Sequence, residues 1–428
     1  MTIGTLTVTP IELIATVLFA LAVLHTFLTR FFEHLAHVNP AHAGLWHLLG
    51  EVEVVFGFWA FVLILFFTAY GGIGATVEYL EDLDFTEPAF VFVIMTIASG
   101  RPVLASVAEA LRLIARVLPF RQEIAFYAIL LSVGPLMGSL ITEPAAMTIC
   151  ALLLRDRYFG PGASGRFMYG TLAVLFVNIS IGGVLTAYAA PPVLMVADKW
   201  GWTSAYMLAT FGWKAAVAVV VNAAVVAYLF RRELCDSVPG IRVETRPQTP
   251  WALTALHFVF LAAVVALSHY PTAFLGLFLL FLGLAEAYKR HLDPPILREG
   301  LMVGFFLAGL VVLGGPQQWW LNPVLTGADD TALFFGALAL TPITDNAALT
   351  YLGSLVEDAS EGFRYALVAG AVAAGGLTVI ANAPNPAGFS ILKGSFPEGA
   401  ISPLYLFLAA LAPTAVAVLA FQLPRLLF

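Results

Sequence analysis

Two ten-residue segments hold the residues best suited to chemistry. Ser139-Leu-Ile-Thr-Glu-Pro-Ala-Ala-Met-Thr148 and Thr341-Pro-Ile-Thr-Asp-Asn-Ala-Ala-Leu-Thr350 agree at five of ten positions and differ conservatively at three more. Each sets an acid, Glu143 or Asp345, directly after a threonine, Thr142 or Thr344, at the interruption of an apolar stretch. A threonine in that place is a candidate helix N-cap, an acid suits the first turn, and Pro144 is tolerated there. The spacing therefore predicts that a half-helix starts at each acid within an apolar environment. A carboxylate that only caps its helix is the bland alternative. A charge inside a bilayer costs at least about 2.5 kcal/mol, which favours a functional role.

The sign of the ligand follows from charge. Two helix N-termini alone would attract an anion, each contributing roughly +0.5 charge. Each terminus here also carries a full negative charge when ionised, so the local sum is about -1 and a cation is preferred. Hard oxygen donors suit such an ion, and Thr142, Thr344 and Asn346 supply them at the tips. Downstream, Asn178-Ile-Ser-Ile-Gly-Gly183 before Pro191-Pro192, and Ala381-Asn-Ala-Pro-Asn-Pro-Ala-Gly388, cannot continue as regular helices. Backbone freed there needs partners, which points to a midplane site and adds Asn382, Asn385 and, more weakly, Asn178 and Thr186. For the asparagines ordinary Asn-Pro turns compete, and for Asn178 and Thr186 simple interhelical bonding does. Na+ would sit at Glu143 and Asp345. Protonating either acid removes the attraction, so cation and proton compete, which is sufficient for antiport.

These residues need elements that bring them into a membrane. The 428 residues are 60% hydrophobic and 11% charged, a composition that excludes an ordinary soluble domain. Runs long enough to span lie near 10–29, 51–72, 89–105, 165–190 and 205–230, then 251–268, 272–288, 298–315, 364–381 and 401–424. Two interrupted stretches, 124–155 and 331–356, read as re-entrant hairpins with arms mostly too short to cross. With the N-terminus outside, sixteen of the twenty Lys and Arg residues fall inside, leaving Lys199, Lys214, Arg364 and Arg425 outside. The two hairpins then enter from opposite faces. The expected fold is an all-α polytopic membrane protein of about ten transmembrane helices plus two re-entrant hairpins, in two inverted five-helix repeats, with both termini periplasmic. Residues 231–250, with Arg242, Arg246, Pro239, Pro247 and Pro250, form a cytoplasmic link between the halves.

Other features carry less. Cys150 and Cys235 make neither a disulfide framework nor a thiolate metal site, and the N-terminus lacks signal-peptide features. Nucleic acid is not an expected partner, and no cofactor is called for. Glu51 and Glu53 open the second span, preceded by His34, His37, His42 and His47. Such a group could sense pH, but hydrated residues of an interfacial helix explain it, and the histidine spacing defines no metal site.

The segments at 141–148, 343–350, 185–202 and 381–388 resemble a bacterial family of sodium/proton antiporters in the ion-transporter superfamily, which also holds sodium/dicarboxylate and arsenite transporters. The resemblance covers nearly the whole chain. It implies a homodimer in the bacterial inner membrane, with elevator-type motion. Residues 1–122 and 251–329 would be scaffold. Residues 123–232 and 330–428 would move, each carrying its hairpin and a broken helix, 165–190 or 364–388, with 233–250 as linker. The dicarboxylate branch is similar in architecture but carries Ser-Asn-Thr at both tips, where this chain has Thr142-Glu143-Pro144 and Thr344-Asp345-Asn346. The reading is a secondary antiporter that exchanges Na+ or Li+ against protons. Its rivals are an anion carrier of the arsenite or dicarboxylate kind, an intramembrane aspartyl protease, and a passive channel. The first would need basic or neutral donors at the site. The second lacks a second Asp with a Gly-Asp partner motif, and broken helices in paired halves argue against the third.

Overall fold

The computed structural model describes residues 2–3, 6–160, 162–236 and 249–427, so most of the expected linker, including Pro239, Arg242, Arg246 and Pro247, lies outside the described residues. Apart from a two-residue strand pair, Thr2–Ile3 with Leu6–Thr7, the regular structure is helical. Among the described residues, six helices are long and apolar enough to cross a membrane, or seven if one bent pair counts as a single span. Shorter apolar helices, Pro10–Thr26, Trp251–Ala266, Pro271–Ala287 and Asp330–Thr344, occupy other stretches read as spans or hairpin arms.

Several elements differ from the sequence expectation for local reasons. The run at 89–105 is two helices, Thr86–Ala98 and Arg101–Val117, meeting at 66°. Gly100 breaks the first, and Pro102, just inside the second, has no N–H to extend the ladder backwards. The second span reaches much further than expected, over Val52–Glu81, and kinks at Gly72, whose φ of 81° only glycine adopts without strain. The first hairpin arm, Gln122–Ile141, is a 20-residue helix with Pro135 inside it, and so by length could span. The run at 364–381 is helical only over Glu361–Ala374, too short to cross.

Both downstream breaks occur where Gly, Asn and Pro cluster. Helix Gly165–Gly182 passes into a 3-10 turn at Gly183–Leu185 and then open chain, and helix resumes at Pro191–Ala197. In the other half, helix stops at Ala374 and resumes at Asn385–Leu392. The resumed pieces cross over. Pro191–Ala197 packs on helix Asn346–Ser354, and Asn385–Leu392 packs on helix Glu143–Arg157. Each half thus closes over the acid-bearing helix of the other.

A second body of helices packs around Leu297–Gly314, which lies against Val52–Glu81 and Thr86–Ala98. Small residues permit close approach: a methyl on Gly304 would lie 3.0 Å from the Pro88 carbonyl oxygen, and one on Gly309 would collide with the backbone at Phe56–Gly57. Helix Pro403–Leu427 covers the opposite side, packing on Gly165–Gly182 and Trp213–Leu229.

Candidate cation site

The first tip is a one-residue reversal. Helix Gln122–Ile141 ends at Thr142, whose φ of 80° is strained for a residue with a β-carbon, and helix Glu143–Arg157 begins at once. The distal ends are clamped together: Arg157 donates to both carboxylate oxygens of Glu123 at 3.0 and 2.9 Å, and the Tyr158 hydroxyl donates to the Glu123 carbonyl at 2.8 Å. The arms therefore run back along each other, with Glu143 at the turn.

Glu143 is fully buried. One carboxylate oxygen, Oε2, accepts from Asn382 Nδ2 at 2.9 Å, and the other, Oε1, has no partner. Gly183, at the end of the neighbouring helix, presses its α-carbon against this carboxylate so closely that a methyl there would overlap it. The Thr142 hydroxyl oxygen is likewise buried and without a partner, so Thr142 occupies the cap position without capping.

At the second tip the cap is Asp345, not Thr344. The helix Asp330–Thr344 runs through Thr344, whose hydroxyl donates to the Leu340 carbonyl at 3.0 Å. Asp345 turns the chain at φ 127°, and its Oδ1 accepts the N–H groups of Ala347 and Ala348 at 2.7 and 3.1 Å. A carboxylate is the stronger acceptor for these free N–H groups, so it displaces the threonine from the role. Matching sequences thus start their helices one residue apart.

The segment between Ala374 and Asn385 ties the tips together. Asn382 reaches Glu143 of the other half, and the Ala381 carbonyl accepts from the Asn346 N–H at 3.1 Å. Asn346 Nδ2 approaches the Ser180 hydroxyl at 3.4 Å, and that hydroxyl donates to the Val372 carbonyl at 2.8 Å. Asn385 Nδ2 donates to the carbonyls of Gly375 and Thr378 at 2.7 and 2.9 Å. In all three asparagines the amide nitrogen is used while the oxygen Oδ1 is buried and unpartnered. Among the described residues, Thr142, Glu143, Asn346, Asn382 and Asn385 hold five of the six buried side-chain oxygens that lack a hydrogen-bond partner, Thr414 holding the other. Buried polar atoms are usually satisfied, so these five orphan oxygens, carried by the two tips and the segment that ties them together, are acceptors of the kind a hard cation can use.

Asn178 and Thr186 bond elsewhere. Asn178 Nδ2 donates to the carbonyls of Leu131 and Val219, and its Oδ1 accepts from Asn222, which joins three helices. The Thr186 hydroxyl donates to the Ser139 carbonyl at 2.6 Å, holding the open chain after Gly182 on the first hairpin arm.

One neighbour escaped the sequence reading. A cavity of about 20 Å³, large enough for one water or a small ion, is lined by Asp345, Asn382 and also Glu53, with Phe306, Val303 and Pro386 closing it. Nothing in the local pattern of Glu51-Val-Glu53 marks this position, because its partner acid lies far along the chain. The four histidines are exposed on short helices and a turn, and the rings of His37 and His47 lie edge to face with centres 6.3 Å apart.

Compared with known proteins, the chain matches a family described as "Putative Na+/H+ antiporter" over residues 10–424, nearly its whole length. No curated protein matches it.

Proposed function

The chain belongs to this Na+/H+ antiporter family and is a multi-pass membrane transporter, and we propose that it exchanges Na+ or Li+ for protons at Glu143 and Asp345. The observation that carries this reading is the run of unpartnered buried oxygens on Thr142, Glu143, Asn346, Asn382 and Asn385. Among the described residues, neither carboxylate bonds to a lysine or arginine: Glu143 takes one amide N–H and Asp345 two backbone N–H groups. An anion would meet oxygen acceptors here, which disfavours the arsenite or dicarboxylate alternative.

Ionised acids attract the cation through these oxygens, whereas a proton on either acid removes a negative charge and weakens that attraction. Bound sodium and bound proton exclude each other, and alternating exposure of the site couples their fluxes. The motion we propose is an elevator in which residues 123–232 and 330–428, with their re-entrant hairpins, slide against residues 1–122 and 251–329. The assembly we propose is a homodimer in the bacterial inner membrane, built of two inverted five-helix repeats, with both termini periplasmic.

Purified protein in proteoliposomes with an internal pH dye tests the reading. Pulses of sodium or lithium should move protons, and potassium, calcium and dicarboxylates should not. Proton movement driven only by a dicarboxylate, or by no ion in the set, would overturn it. Single cysteines at 240 and 328 test the sidedness: 240 should react with impermeant reagent only from inside and 328 only from outside.

A further inference from the structure

Asp345 and Glu53 face one small cavity from different bodies of the protein. Glu53 stands in the first turn of helix Val52–Glu81, which packs on Leu297–Gly314, while Asp345 belongs to the second hairpin. The cavity they share holds about one small ion or water. It is also lined by Asn382, whose 1% exposed side chain has an unpartnered Oδ1 while its nitrogen is held by Glu143. An unused buried oxygen between two carboxylates is an arrangement for a cation and not for an anion.

We propose that Glu53 is a third carboxylate of the cation site, contributed by the scaffold and bound to the ion together with Asp345 and Asn382 Oδ1. This deepens the antiport reading and rests on it. Charge argues for the role. Two carboxylates around so small a space repel unless a cation or a proton lies between them, so Glu53 enters the same competition as the tip acids. The charged groups near Glu53 are Asp345 across the cavity, Glu51 at the start of its own element, and Arg298, whose guanidinium donates to Glu51 at 2.6 Å. Arg298 therefore bonds to Glu51 and reaches Glu53 only through its charge, while Glu53 lines the cavity. Position argues for a consequence. If the hairpins slide against the scaffold, Asp345 and Asn382 leave Glu53 behind, and the site loses one negative ligand. The ion is then held more tightly in the arrangement seen here than after the slide, which is the differential affinity that release requires.

The test is transport by Glu53→Gln in proteoliposomes, measured as the apparent KM for sodium across a pH series. Glu53→Gln should raise that KM tenfold or more and flatten its dependence on pH, because one competing proton site is gone. Glu53→Asp should keep a wild-type pH slope with a smaller rise in KM, and it serves if the glutamine variant does not fold. Glu51→Gln, which breaks the surface pair with Arg298 and reaches Glu53 only through charge, should raise the KM far less than Glu53→Gln and keep a pH slope. An unchanged KM and slope in Glu53→Gln would overturn the proposal. So would equal damage in Glu51→Gln, which would assign the effect to the helix end. If Glu143→Gln and Asp345→Asn abolish exchange while Glu53→Gln does not alter it, the inference alone fails. Full exchange in the two tip variants would overturn the antiport reading and this proposal with it.

Discussion

Gly183→Ala tests the position of Glu143 without altering its chemistry. Gly183 has φ −76° and ψ −12°, a conformation alanine adopts freely, so no backbone strain enters. The added methyl would lie 2.7 Å from the Glu143 carboxyl carbon and closer still to Oε1. Either the carboxylate or the helix end must move. Forcing extra volume into a packed interior costs about 1–3 kcal/mol of stability. A carboxylate that swings aside also loses its 2.9 Å bond from Asn382, and hydrogen bonds to charged groups contribute about 1.5–3 kcal/mol. At about 1.4 kcal/mol per tenfold, that loss predicts a roughly 10- to 150-fold weaker apparent sodium affinity. The assay is sodium-dependent proton movement in proteoliposomes, with thermal unfolding in detergent run in parallel. Gly276→Ala, where an added methyl meets nothing within 4 Å, is the control and should leave both unchanged. Wild-type sodium affinity and wild-type stability in Gly183→Ala would refute the placement of the Glu143 carboxylate against this glycine.

Glu143→Gln and Asp345→Asn keep size but remove charge, so each should abolish sodium-dependent proton movement while the protein still inserts and purifies as wild type; Asp345→Glu should retain weak transport. Thr344→Ala should have little effect on sodium KM, within about twofold, because its hydroxyl donates to the Leu340 carbonyl and beyond that reaches only the adjacent Asp345 carbonyl at 3.5 Å, while the Asp345 carboxylate supplies the cap. Asn178→Ala should lower the unfolding temperature and leave the sodium KM near wild type, since it removes bonds linking three helices, including the one to the Leu131 carbonyl, whose i+4 residue Pro135 has no N–H to offer.

What was legible in the sequence is what depends on local chain chemistry. Apolar stretches interrupted by Thr-Glu-Pro or Thr-Asp-Asn break at those residues, and Asn-Ala-Pro-Asn-Pro does not stay helical, because Pro and Asn act on their own backbone within a few residues. The choice between Thr344 and Asp345 as cap was not legible. It turns on which acceptor the open N–H groups reach, and the pattern permits both. Partners distant in sequence were hidden too. Asn178 pairs with Asn222 and Glu143 with Asn382, and such choices are made by how helices lie together. Glu53 shows the limit most clearly. Its neighbours read as the wet start of a span, and only packing of Val52–Glu81 against Leu297–Gly314 carries it to the cavity at Asp345.

Charge gives the arrangement its logic as an exchanger. Two helix starts contribute roughly +1 together, and Glu143, Asp345 and Glu53 contribute -3 when ionised, so the bare site sums to about -2. One sodium ion brings it to about -1, and a proton on any acid does the same, so each occupant weakens the pull the site exerts on the other. Withdrawing Asp345 and Asn382 from Glu53 brings the bare sum at the hairpins back to about -1. A sodium ion then gives up the pull of one carboxylate, and a single proton is enough to take its place. The carboxylate that stays behind would then help make the affinity for sodium differ between the two arrangements, and the two that move would let the proton replace it.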